Sequence, residues 1–136
     1  EQDFDAANVI FKSDVPFVQL PCMGVVTDFT ISKAELKEFL LDKTPLSDYL
    51  ARNTIEEAEI YADPKTTWTR VIWDVTAVAW LLNDDNKFML GRVLPIPTVS
   101  KEGKYIYNDK GRPFLYNYFI DRDTLMRDLI EKLTKE

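Results

Sequence analysis

The stretch that most constrains this chain is Thr69–Asp84, TRVIWDVTAVAWLLND. From Ala77 to Leu82 it carries no charge, and its composition favours a helix with few polar positions. A helix that is apolar nearly all round has no side suited to water, so this one is expected to be buried on most sides. A single carboxylate, Asp74, stands at its head, with Trp73 just before it and Trp80 further along.

The flanking segments read as α/β. Phe4, Ala7, Ile10 and Phe11 share one helical face that Asp3 can cap. VPFVQLP, an apolar run bounded by Pro16 and Pro21, reads as a buried strand. Helix, short loop and strand in that order are an α/β signature. In ISKAELKEFLLD, Ser32 and Glu35 form a capping box and Ile31 can staple onto Leu36. A further helix starts at TPLSDYL, with Thr44 as its cap and Pro45 at its first position, and Pro64 is expected to end it. Pro95 and Pro97 mark FMLGRVLPIPTVS as an edge or irregular strand. KYIYNDKGRPFLYNYFI reads as a β-hairpin turning at Asn108–Gly111. Leu125, Met126, Leu129, Ile130 and Leu133 form the stripe of a C-terminal helix capped by Asp121. With no repeat and no linker-like stretch, residues 1–136 read as a single domain with one core.

Charge and composition narrow the function classes. The net charge is −6, with 13 acids against 7 bases in the first 70 residues and 10 of each in the rest. No basic cluster is present, so nucleic acid is not expected as the main partner. No apolar run reaches the length of about 18 residues that a membrane span needs. The absence of histidine removes Ser-His-Asp and Cys-His catalysis and every histidine-ligated metal. Cys22, the lone cysteine, allows neither an internal disulfide nor a cysteine-based zinc site. Any metal held here would therefore be a hard cation on oxygen ligands. One cysteine suits a reducing compartment and slightly favours the cytoplasm; the compartment and self-association into a homo-oligomer stay open. Glu56, Glu57 and Glu59 imitate a metal site but are expected to be a solvated helix face. Asp84 and Asp85 are expected to form a turn ending the helix.

Asp74 admits two readings. As an N-cap, its carboxylate would accept from the amide of Thr76 or Ala77, and the helix dipole would favour its charge. As a ligand, it would face a cleft at a strand end and hold a hard cation, with Trp73 offering a flat face to an aromatic ring. Trp80, inside the apolar helix, is expected to pack in the core.

Three segments carry a family resemblance. EQDFDAANVIFKSDVPFVQLPCMGVV, VIWDVTAVAWLLND and YNYFIDRDTLMRDLIEKL, in this order and spacing, resemble the C-terminal half of the inosine-uridine-preferring nucleoside hydrolases. The resemblance covers nearly the whole chain. It implies the C-terminal portion of a Rossmann-type layered α/β domain, with a β-hairpin and a C-terminal helix. It also implies that the parent enzyme cleaves the N-glycosidic bond of ribonucleosides to ribose and free base, using calcium.

On that resemblance Asp74 is one ligand of the calcium, the remaining carboxylates coming from an N-terminal aspartate cluster that these residues do not include. Calcium would fix the sugar hydroxyls and lower the pKa of a bound water, and bond cleavage would pass through an oxocarbenium-like transition state. Many members carry a histidine immediately before this aspartate. Trp73 stands there instead, as in a purine-preferring branch that stacks tryptophan on the base, so Trp73 is the expected substrate contact. No catalytic residue is assigned within the chain, which is expected to be inactive alone. Two other readings stay open: a non-catalytic module binding a nucleoside or sugar on the same scaffold, and a protein-interaction module using Tyr105, Tyr107, Tyr116 and Tyr118.

Overall fold

A computed structural model describes residues 3–63 and 65–135 and shows mixed helix and sheet. Helix α1 (Phe4–Lys12) begins at Asp3, whose side chain accepts from the Ala6 amide at 2.9 Å. Strand β1 (Val18–Gln19) is followed by β2 (Thr30–Ser32), which runs straight into α2 (Lys33–Glu35) and its π-helical continuation Leu36–Leu40. The Ser32–Glu35 capping box is formed, and Ile31 and Leu36 are buried in the same core. Thr44 caps α3 (Pro45–Glu59), with Pro45 in its first turn. That helix ends ahead of Pro64, which lies outside the described residues. Then come β3 (Thr69–Val71), α4 (Val75–Leu81), β4 (Met89–Pro95), β5 (Thr98–Val99), β6 (Tyr105–Ile106), β7 (Pro113–Ile120) and α5 (Arg122–Leu133). The expected α5 cap is present, Asp121 accepting from the Thr124 amide at 3.0 Å, and Leu125 and Met126 are buried.

The strands form three small sheets, ordered β1-β7-β4, β2-β3 and β5-β6. Strand β4, which ends on Pro95, lies at an edge and pairs antiparallel with β7. Strand β1 pairs parallel with β7 at the opposite edge and is only half-buried, because an edge strand of two residues is covered on too few sides. The hairpin expected over residues 104–120 does not form. The turn exists, with Gly111 N–H donating to Asn108 O at 2.8 Å, but the strands on either side of it take different partners. Strand β6 pairs back onto β5, and β7 pairs with β4 and β1. Gly111 lies against the chain at Ile96, where a Cβ would come within 2.6 Å of the Ile96 carbonyl oxygen. The turn is thus held against the β4–β5 connection.

Buried apolar side chains fall into two clusters. The larger gathers Val25, Phe29, Ile31, Leu36, Leu40, Ala51, Ala79, Phe88, Met89, Ile120, Leu125 and Met126. The smaller comprises Phe11, Ile96 and Phe114, with Phe17 and Tyr116 packed against it. Strand β7 serves both, through Ile120 and Phe114.

Strands this short leave many outward-facing backbone groups. In an antiparallel pair, alternate residues bond across the ladder and those between point away from it. Ser100 N–H donates to Lys104 O, so Val99 points outward from the β5–β6 pair, and the Asn8 carboxamide meets it at both ends. Asn8 Nδ2 donates to Val99 O, and Val99 N–H donates to Asn8 Oδ1, each at 2.8 Å. Met89 is placed likewise on β4, because Asp121 N–H bonds Phe88 O. The Asn83 carboxamide closes it, donating to Met89 O at 2.9 Å and accepting from Met89 N–H at 2.9 Å and Phe88 N–H at 2.7 Å. Each asparagine stands in for a neighbouring strand.

Helix α4 departs furthest from expectation. Only Thr76 and Ala79 are buried, while Trp80 packs partly against the core as expected. Val78, Leu81 and Leu82 are 57%, 72% and 47% exposed. At 3.6 residues per turn, Asp74, Ala77, Val78 and Leu81 fall on one side, opposite the buried pair. The helix packs on the core by one face, and its other apolar face has no cover among the described residues.

Candidate functional site

Trp73 and Asp74 occupy the turn that carries β3 into α4. The ribbon β2–β3 delivers them. Ile31 pairs with Arg70, and Ile72 N–H extends the ladder by donating to Phe29 O at 2.9 Å. Phe29 is fully buried, so the chain is anchored in the core one residue before Trp73. Consecutive i→i+3 bonds then close the turn: Val75 N–H to Ile72 O at 3.3 Å, Thr76 N–H to Trp73 O at 3.2 Å and Ala77 N–H to Asp74 O at 3.0 Å. The Thr76 hydroxyl adds a second bond to Trp73 O at 2.8 Å.

This turn overturns the capping expectation for Asp74. The amides of Thr76 and Ala77, which the carboxylate would have accepted, are already taken by backbone carbonyls. Asp74 sits at the N-cap position with φ −76° and ψ −11°, a helical conformation rather than the extended one that turns a capping side chain back over the helix end. Its side chain makes no cap bond, and among the described residues it has neither hydrogen bond nor ion pair. Trp73 is half-exposed, so its ring is not a core element. The turn thus presents an indole and an unpaired carboxylate to solvent, next to the uncovered face of α4.

Among the described residues no cluster of carboxylates forms around Asp74. Glu56 and Glu57 are exposed on α3 as expected, while Glu59 pairs with Lys33. Asp84 and Asp85 lie in a 3-10 turn after α4, as expected. Among the described residues, no group of three acidic, cysteine or histidine side chains is placed to hold a metal. Calcium takes about six to eight oxygen ligands. The described residues do not supply such a shell around Asp74. An apolar cleft of ≈ 320 Å³ adjoins the turn, lined by Ile72 and Val75 on either side of it together with Leu50, Leu133 and Arg70, but neither Trp73 nor Asp74 lines it.

The four tyrosines do gather, though not on one hairpin. Tyr105 and Tyr107 meet edge to face with centroids 6.3 Å apart. The Arg92 guanidinium lies 5.9 Å from the Tyr116 ring and 5.8 Å from that of Tyr118. Burial, then the neighbouring Tyr116 and Tyr105, pushes the Tyr107 hydroxyl above its ordinary pKa. Gln19 Nε2 donates to the Tyr105 hydroxyl at 2.8 Å, while its buried Oε1 has no donor among the described residues. The sequence reading missed Gln19 and Arg92, whose parts depend on which strands pair.

No protein-family model matches this sequence, and no characterised protein aligns with it significantly.

Proposed function

We propose that this chain is the C-terminal portion of a nucleoside hydrolase domain, in which Asp74 is a calcium ligand and Trp73 contacts the nucleobase. The observation that carries the reading is the β3–α4 turn. A carboxylate released from capping stands beside a half-exposed indole, where a rigid ribbon holds both. A carboxylate with no partner among the described residues is open to a hard cation, and an exposed indole can stack on an aromatic base. The uncovered apolar face of α4 supports the rest of the reading. Val78 and Leu81 adjoin Asp74 and call for a further layer against them, in keeping with a Rossmann-type layered domain that continues beyond these residues.

Within this domain the chain's own task is positioning. Asp74 contributes charge, Trp73 contributes a surface for the base, and the remaining ligands and the group that activates water come from elsewhere. The purified 136-residue chain is therefore expected to release no ribose from inosine or uridine. The full reading frame is expected to do so in a calcium-dependent way that Asp74→Asn abolishes. Reducing-sugar release measured with and without EDTA tests both. Activity in the isolated chain, or undiminished activity after Asp74→Asn, would overturn the assignment.

A second reading, a binding or interaction module without catalysis, is favoured by the Tyr105, Tyr107, Tyr116, Tyr118 and Arg92 cluster. Tyr105, Tyr107 and Tyr118 are exposed beside Arg92, with Tyr116 half-buried under it, and tyrosine with arginine is typical of recognition surfaces. Its mark would be nucleoside or sugar binding by the full protein, without turnover and unaffected by Asp74→Asn.

A further inference from the structure

Strand β2 also carries outward-facing backbone groups, and an ion pair holds two of them. With Phe29 opposite Ile72 and Ile31 opposite Arg70 as the bonded pairs, Thr30 and Ser32 point away from β3. Arg122, the first residue of α5, reaches Thr30 O with two donors, Nε at 3.0 Å and Nη2 at 2.7 Å. The same Nη2 pairs with Glu35 Oε1. The other Glu35 oxygen, Oε2, accepts from the Ser32 N–H and the Ser32 hydroxyl, each at 2.7 Å. One guanidinium and one carboxylate therefore take Thr30 O and Ser32 N–H on the outer edge of β2, as a third strand would. Nη1 ties Arg122 to Asp123 at 3.0 Å within α5.

We propose that Arg122, acting with Glu35, is a positioning residue for the Trp73–Asp74 turn. A two-stranded ribbon is marginal by itself. This one has an edge fastened to α5, so the carbonyl of Phe29, and with it Ile72, is fixed relative to the core. Trp73 and Asp74 follow directly. Lysine cannot substitute, because it offers one point of donation where the planar fork reaches Thr30 O and Glu35 together. What the turn binds rests on the function proposed above; that Arg122 holds the turn does not.

The test labels the 136-residue chain with 5-fluorotryptophan and assigns the Trp73 resonance by Trp73→Phe. Arg122→Lys and Arg122→Met are compared with Leu129→Ala, which loosens the core through α5 while leaving the Arg122 bonds to Thr30 O in place. In both Arg122 variants the Trp73 resonance is expected to shift and broaden while that of Trp80 stays in place. The Ile72 amide is expected to exchange about tenfold faster relative to amides in the middle of α3. In Leu129→Ala all sites should loosen together. An unmoved Trp73 resonance with unchanged relative exchange at Ile72, or a uniform loss in the Arg122 variants that matches Leu129→Ala, would overturn the proposal. Nucleoside cleavage by the full protein is read separately. A displaced Trp73 in a protein that never cleaves nucleosides leaves Arg122 a positioning residue and removes only the hydrolase reading.

Discussion

Replacing Asn83 with alanine tests whether side chains really serve as strand edges in this fold. The Asn83 carboxamide makes three hydrogen bonds, to Phe88 N–H, Met89 N–H and Met89 O. Phe88 and Met89 are 2% and 0% exposed, so water does not reach these backbone groups while the side chain is in place. Each buried polar group left without a partner costs roughly 1–3 kcal/mol. The vacated volume admits a water, which favours the low end, so three groups give about 3 kcal/mol. That is a large part of a typical total of about 5–15 kcal/mol and is expected to lower the melting temperature by roughly 10 °C. Urea unfolding followed by circular dichroism measures the loss, with the slope m unchanged because the exposed surface is the same. Asn83→Asp sharpens the test. It keeps an acceptor for both N–H groups but sets a carboxylate oxygen against Met89 O. The introduced carboxyl is then more easily protonated in the folded state than in the unfolded one. Its folded pKa is raised, so the stability it contributes is full below its unfolded pKa and is lost as pH rises through the folded value. Asn83→Asp should therefore approach wild type near pH 4 and fall toward the alanine variant near pH 7. A loss under about 0.5 kcal/mol for Asn83→Ala, or a pH-independent Asn83→Asp, would refute the edge-completion argument.

Asp74→Ala should cost the isolated chain no more than roughly the few tenths of a kcal/mol of the helix-dipole contribution, since no capping bond is lost; a loss of about 1 kcal/mol or more in urea unfolding would restore the capping role. Trp73→Ala should cost far less stability than Trp80→Ala, for which about 2–3 kcal/mol is expected, because only Trp80 packs against the core; equal losses in urea unfolding would return Trp73 to it. The backbone hydrogen bond from Thr124, then its hydroxyl, holds the Asp121 carboxyl below its ordinary 3.8. A lowered folded pKa gives stability that is present above the unfolded value and lost as pH falls through the folded one, so Asp121→Asn should flatten the acid-unfolding curve below about pH 4. Acid unfolding of the two proteins, superimposed after a constant offset, would contradict that.

What the sequence shows of this fold is what lies within a turn or two of itself. The caps at Asp3, Ser32, Thr44 and Asp121 involve residues three apart and form as their spacing requires. The α5 stripe repeats often enough to be read. The two-residue strands carry no period, so nothing in KYIYNDKGRPFLYNYFI distinguishes β6 folding back onto β5 from β6 pairing forward with β7. Edge completion is less visible still. Asn8 meets Val99 and Arg122 meets Thr30 across 91 and 92 residues, and which backbone groups need a partner is settled only once the register is known.

Asp74 lies between these cases. Its sequence context is that of a cap, and the position is correct, yet the backbone reaches the same amides first through i→i+3 bonds. A helix dipole would still favour a negative charge there, so the charge alone signals nothing. The signal is the combination. The carboxylate is unpaired among the described residues, the neighbouring indole is half-exposed, and the ribbon behind them is fastened at Phe29 on one side and at Arg122 on the other. Fastening a turn this firmly adds little to packing when both of its side chains point into solvent. It does fix the distance and angle between a charge and an aromatic face, which is what a site that must grip two different parts of one ligand requires.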